Sequence, residues 1–239
     1  MGTLILVRHG QGGTLGGDYD RLSPLGEEQA RRLGAYWSAW GASFDAVYTG
    51  SLRRQRATAE KVAEVLLERG GAWPEPRRLP ALDEYDADGI LRALLPEAAR
   101  RDERVAGLEA QYQAQAVGPE RNRRFQRLFE AVMAEWVKGT LETDGFESFR
   151  AFQARVRQAL DSILRAQAGG RRVVVFTSGG PIGVMVQTAL AAPDMKAVEI
   201  NWRVRNCSLT EFVFTPGRLT LESFNALPHL PDPALWTFR

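Results

Sequence analysis

Short β-type runs separated by stretches of helical periodicity constrain this chain more than any other feature. The runs fall at Thr3–Val7, Ala46–Tyr48, Arg78–Leu82, Arg172–Thr177, Leu209–Thr215 and Leu219–Phe224, the last two joined through Pro216-Gly217, a hairpin signal. Helical patterns fill the intervals. One opens at Ser23-Pro24, with serine as cap and proline at the first helical position. A second starts after Ser51, read as its cap, and stops at Gly70-Gly71. A third runs from about Glu147 to Gly169 with Phe149, Phe152, Val156, Leu160, Ile163 and Leu164 on one face, and a fourth follows Gly179-Gly180-Pro181. Strands alternating with helices predict an α/β fold, a mostly parallel central sheet flanked by helices, with the final hairpin adding antiparallel pairing. Between Gly89 and Thr143 there is no strand signal, and Phe125, Leu128, Phe129, Val132, Met133, Trp136 and Val137 recur at helical spacing. With no internal repeat or low-complexity linker, the expectation is one domain over 1–239 carrying a helical insertion at about 89–143, a candidate lid.

Bulk properties remove several function classes. The formal charge of the 239 residues is only +2, which gives no support to a nucleic-acid partner. The single cysteine, Cys207, cannot form an internal disulfide, which suits a reducing compartment. One cysteine and two distant histidines leave no expectation of a zinc site. The first apolar run stops at Arg8, too short for a signal-peptide core, and no stretch approaches the ~20 apolar residues of a membrane span. A cytoplasmic protein with no membrane partner is expected. Oligomeric state stays open, because Trp37, Trp40 and Trp136 fit either core or interface.

The chemistry is concentrated where the first run ends, in Arg8-His9-Gly10-Gln11. Strand ends at the rim of an α/β sheet are where ligands bind. A neutral imidazole can attack phosphorus when a hydrogen bond to its other nitrogen fixes the tautomer. An adjacent guanidinium can hold two phosphate oxygens as a fork. A cation beside an imidazole therefore suits a phosphorylated substrate.

Arg8-His9-Gly10-Gln11 resembles the signature of the histidine phosphatase superfamily, the phosphoglycerate mutase-like fold. Leu22-Ser23-Pro24-Leu25-Gly26-Glu27-Glu28-Gln29-Ala30 is similar to that family's helix-opening segment, and Tyr48-Thr49-Gly50-Ser51 through Ala59-Glu60 to its second phosphate-binding segment. Alignment on Thr58-Ala59 places the family's arginine at Arg54, and Leu82-Asp83-Glu84 resembles the segment carrying its acid. Phe146-Glu147-Ser148-Phe149, Asn206-Cys207-Ser208 and Phe224-Asn225 with His229-Leu230 also fit, so the resemblance spans nearly the whole chain. It implies His9 as nucleophile, Glu84 as general acid with Asp83 and Asp86 as rivals, and Arg8, Arg54, Ser178 and Gln11 as substrate-binding residues. No metal or other cofactor is implied, because arginines supply the positive charge. His229 is read as structural.

One departure stands out. Where the family carries a second histidine, after the strand Val173–Thr177, this chain has Ser178. Losing such a donor typically costs ~10²–10³ in rate, although serine keeps a hydroxyl. The expected function is a metal-independent phosphomonoesterase working through a phosphohistidine on a small phosphorylated substrate. The alternative is a catalytically weak or inactive phospho-ligand-binding protein of the same fold. A phosphoglycerate-type mutase ranks lower, since the arginine- and proline-rich segment of such mutases has only a loose counterpart in Gly118–Arg124. Glycines 10, 12, 13, 16 and 17 follow a strand, but a dinucleotide fingerprint needs a helix opening directly from them. Here the helix waits until Pro24.

Overall fold

The computed structural model describes residues 1–13, 18–141, 145–167 and 170–238. In chain order its elements are β1 (Gly2–Arg8), α1 (Pro24–Ala39), β2 (Ala46–Thr49), α2 (Arg53–Glu68), β3 (Arg77–Arg78), α3 (Ala87–Arg101), α4 (Glu103–Gln113), α5 (Pro119–Lys138), α6 (Phe149–Ala166), β4 (Arg172–Thr177), α7 (Gly179–Ala189), α8 (Met195–Asn201), β5 (Leu209–Thr215) and β6 (Arg218–Ala226). The six strands lie in the order β3-β2-β4-β1-β5-β6. β1, β2, β3 and β4 run parallel, and β5 and β6 are antiparallel. This is the α/β architecture with a mostly parallel sheet that the alternation predicted.

Two compact units are distinguished, one formed by 1–84 with 155–239 and the other by 85–154. In the first, Ile5, Val7, Val47, Val174 and Phe176 point to one face of the sheet and meet Ala30, Leu33 and Trp37 of α1 and Ala59, Val62 and Leu66 of α2. Leu4 and Leu6 on the opposite face are equally buried. A central strand covered on both sides reads as a continuous apolar run instead of an alternating one, which is why Leu4–Val7 was so legible. In the second unit, α5 buries Leu128, Phe129, Val132, Met133 and Trp136, and the Trp136 ring lies within 6 Å of Tyr85, Phe149 and Phe152 by centroid. Trp37 and Trp136 are thus core residues, whereas Trp40 is exposed.

The element starts follow their local chemistry. Ser23 caps α1, its Oγ accepting the Gly26 N–H at 3.0 Å, and Pro24 occupies the first position. Gly217 takes positive φ in the β5–β6 turn. Two expectations are corrected. The strand expected over Arg78–Leu82 pairs only at Arg77–Arg78, and Pro80–Leu82 form a 3₁₀ turn. Pro80 has no N–H to give the ladder, so pairing ends before it. Ser51 does not cap α2: Leu52 is the cap residue, and Asp83 accepts the Ser51 and Leu52 N–H groups and the Ser51 hydroxyl. The third helix begins at Phe149 and its regular part ends at Ala166; Gly169, its expected end, and Thr143 lie outside the described residues.

The turn after β1 is packed backbone to backbone against the start of α1. A Cβ on Gly26 would lie 2.1 Å from the Gln11 carbonyl oxygen, and one on Gly10 would lie 2.4 Å from the Gly26 oxygen. Neither neighbour is a flexible side-chain tip. Gly26→Ala is therefore expected to cost about 2–3 kcal/mol by overpacking, seen as a lower urea midpoint at unchanged slope. An unaltered midpoint would show that the turn is not held this tightly.

Candidate active site

The register of β1 against β4 builds the site. Arg8 pairs with Thr177, so the next residues, His9 and Ser178, leave the sheet side by side, and the His9 N–H donates to the Thr177 carbonyl at 2.9 Å. Side chains alternate along a strand. His9 and Ser178 therefore share the face of Val7 and Phe176, the one covered by α1 and α2. The first turn of α2 reaches both. Arg54 Nε donates to His9 Nε2 at 3.2 Å, and Gln55 Nε2 donates to Ser178 Oγ at 2.9 Å.

The imidazole is held in one tautomer. His9 Nδ1 donates to the Gly10 carbonyl at 2.7 Å, which leaves the lone pair on Nε2, where Arg54 meets it. Burial pushes the His9 pKa well below its usual value, and the charges of Arg54 and Arg8 push it further, against the smaller opposing effect of the Gly10 carbonyl. The ring is neutral at physiological pH. Behind it, Gly10 N–H donates to Thr58 Oγ1, Asn206 Nδ2 donates to the His9 carbonyl at 3.1 Å, and Cys207 N–H reaches the Arg8 and His9 carbonyls. These bonds fix the strand end that carries the imidazole.

Arg8 is buried, its Nη1 donating to the Val204 carbonyl while Nε has no partner among the described residues. Burial lowers its pKa, and Tyr19 and Glu84 act in the opposite direction, which places the Glu84 carboxylate within electrostatic reach of Arg8. Both Glu84 oxygens accept the Gly180 N–H at the start of α7, at 3.1 and 3.0 Å, where a helix N-terminus favours negative charge. Of the rival acids, Asp83 is spent on the entry to α2, and Asp86 caps α3 by accepting the Gly89 N–H.

Arg8, His9, Arg54, Ser178 and Glu84 are thus gathered around the adjoining ends of β1 and β4. Gln11 is turned toward α1 instead: its Oε1 accepts from Ser23 Oγ, and its N–H donates to Gln29 Oε1. Three residues of the site were not singled out in the sequence. Asp20 Oδ1 pairs with Arg54 Nη1 at 2.8 Å, and Oδ2 accepts the Arg53 N–H at 3.0 Å, so a carboxylate of the chain itself occupies the anion-favouring start of α2. Tyr19 lies beneath the Arg54 guanidinium, 5.1 Å from ring centroid to carbon, and hydrogen-bonds Arg8. Gln55 is the third. The only signal for Tyr19 and Asp20 was their place between a glycine-rich stretch and a helix cap, and Gln55 lay unmarked inside a longer motif.

The profile of the histidine phosphatase superfamily (branch 1) matches this chain over residues 4–142 and 119–227. The chain belongs to that superfamily. It is 29% identical over 207 residues to a 2,3-bisphosphoglycerate-dependent phosphoglycerate mutase of Methylorubrum populi, covering 82% of this chain and 84% of the relative. Among solved structures it resembles a phosphoglycerate mutase from Bacillus anthracis, with TM-score 0.64 and 20% identity, covering 96% of this chain and 95% of that one. It also resembles a phosphoserine phosphatase from Entamoeba histolytica solved with phosphoserine, with TM-score 0.62 and 20% identity, covering 96% and 100%. These structural likenesses show the fold. As a histidine phosphatase superfamily member the chain has both phosphatases and mutases among its neighbours. No described helix is long and apolar enough to cross a membrane.

The second histidine, His229, is buried against Tyr36, and neither ring nitrogen makes a well-formed hydrogen bond. Burial lowers its pKa to about 4, the Cys207 backbone offsetting this only in part. An unfolded His229 takes up a proton near pH 6.5 that the folded protein refuses, so stability falls as pH drops below 6.5. From pH 6.5 to 5 this amounts to about 2 kcal/mol. His229→Leu should flatten the melting-temperature profile over that window, while His9 leaves a residual slope of the same sign. An unchanged profile in the variant would show that His229 takes up protons in the folded state.

Proposed function

We propose that this protein is a phosphomonoesterase in which His9 is the nucleophile. The observation that carries the proposal is the neutral imidazole with its Nδ1 proton fixed on the Gly10 carbonyl and its Nε2 lone pair facing Arg54. In the mechanism, Nε2 attacks phosphorus as the ester P–O bond breaks. Glu84, a carboxylate before substrate enters, takes the proton of the entering phosphomonoester monoanion and gives it to the leaving oxygen. Arg8 and Arg54 neutralise the equatorial phosphoryl oxygens, and the Ser178 hydroxyl donates to one of them. In the second step water loses a proton to the Glu84 carboxylate and attacks phosphorus. The P–N bond breaks, inorganic phosphate leaves, and His9 is neutral again. The substrate class is a small phosphorylated molecule, and the helical segment at about 89–143 is proposed to belong to the same domain.

A mutase is the second reading, favoured by the phosphoglycerate mutases among the sequence relatives. The two separate in one experiment: incubation with 3-phosphoglycerate and catalytic 2,3-bisphosphoglycerate, followed by ³¹P NMR. Free phosphate supports the phosphatase, and interconverted monophosphoglycerate supports the mutase. For the phosphatase, His9→Ala is expected to abolish phosphate release from a panel of phosphomonoesters, and Glu84→Gln to lower kcat by about 10²–10⁴. Arg54→Ala should act mainly by weakening phosphate binding. Full activity in His9→Ala would overturn the mechanism.

Asp20 adds a directional expectation. Its carboxylate holds Arg54 Nη1 and the Arg53 N–H, so an entering phosphoryl group competes with it. Asp20→Asn should tighten inhibition by inorganic phosphate by a few-fold, on the order of 1 kcal/mol. Weaker inhibition would mean that Asp20 orients Arg54 for the ligand instead of opposing it.

A further inference from the structure

Serine is among the best helix N-caps because its oxygen accepts a first-turn N–H. Ser178 is the cap residue of α7, yet its side chain makes no cap bond. Glu84 takes that part, accepting the Gly180 N–H with both oxygens. The Ser178 hydroxyl is instead held by an amide from another helix, Gln55 Nε2 at 2.9 Å. Both side chains are fully buried. Since the oxygen already accepts from Gln55, and no acceptor for the hydroxyl proton is present among the described residues, that proton is left to be donated elsewhere.

The fold goes to some length to hold this amide still. Gln55 Nε2 also donates to the Leu82 carbonyl at 3.2 Å, and Gln55 Oε1 accepts the Leu52 N–H at 3.3 Å. The same Leu82 carbonyl accepts from Thr177 Oγ1 at 2.6 Å. Gly50 makes room for it: a Cβ there would sit 1.9 Å from Gln55 Oε1. An amide pinned at both ends cannot rotate to offer its oxygen to Ser178, so the direction of the Gln55–Ser178 bond is fixed.

We infer that Gln55 is a positioning residue for phosphoryl transfer: it supplies a hydrogen bond to Ser178 Oγ and thereby commits the serine proton to the phosphoryl group on His9. The inference rests on the His9 reading. Arg54 and Gln55 then divide the work of one helical turn, the first meeting His9 and the second meeting Ser178, the two residues that β1 and β4 set side by side. The bond to Ser178 runs only one way, amide to hydroxyl, so a side chain that fills the same space without donating cannot replace it.

A double-mutant cycle tests this, read in kcat and in the binding of orthovanadate, whose trigonal-bipyramidal adducts resemble the transition state. Ser178→Ala is expected to lower kcat and weaken vanadate binding about 10–100-fold. Gln55→Leu should cost about 10-fold in the Ser178 protein and less than about 2-fold in the Ser178→Ala background, with KM little changed. Gln55→Glu keeps the side-chain shape and, when ionised, cannot donate. Its loss should match that of Gln55→Leu at high pH and shrink as pH falls and the carboxyl regains a proton, which also covers a Gln55→Leu protein that fails to fold. Equal losses in both serine and alanine backgrounds would overturn the positioning role while leaving the His9 reading intact. Failure of the wild-type protein both to bind vanadate and to release phosphate would overturn the two together.

Discussion

The pairing of β1 with β4 in one register is the constraint on which the site depends. With Arg8 opposite Thr177, His9 and Ser178 emerge as neighbours on the face that α1 and α2 cover. A slip of one residue between the two strands would put His9 and Ser178 on opposite faces of the sheet. Such a slip would have to repack both buried faces of β1 and β4, Ile5, Val7, Val174 and Phe176 on one side and Leu4, Leu6, Val173 and Val175 on the other. Hydrophobic packing thus sets the geometry of groups that are themselves polar.

Burial and electrostatics set the protonation state of the imidazole. Burial first, and then the two guanidinium groups beside the imidazole, make protonation of His9 unfavourable, which preserves its lone pair. The same two cations would be costly without anions nearby, and the chain provides them: Asp20 on Arg54 and Glu84 acting on Arg8. The site therefore holds its positive charge in balance before any ligand enters.

Much of this was legible from residues alone. Continuous apolar runs identified β1 and β4 because central parallel strands leave no polar face, and the Ser23-Pro24 cap marked α1 because its chemistry is local. The run at Arg78–Leu82 misled because Pro80 ends the pairing after two residues, and Ser51 misled because distant carboxylates serve the start of α2, Asp83 accepting the Ser51 and Leu52 N–H groups and Asp20 the Arg53 N–H. Long-range partners of that kind leave no periodic trace. The same holds for Gln55 and Asp20, whose importance lies in the distant side chains they touch. His9, Arg54 and Glu84 were singled out because their motifs could be placed in order along the chain; the bond between Gln55 and Ser178 could be seen only in three dimensions.

The central claim is that His9 Nε2 carries the phosphoryl group. The most direct measurement is an alkaline quench during turnover of a ³²P-labelled phosphomonoester, followed by peptide mapping, because phosphohistidine survives base and is lost in acid. The account predicts label up to one equivalent per chain, acid-labile and confined to the peptide containing His9. Steady turnover with no trapped label, or label on another residue, would contradict it.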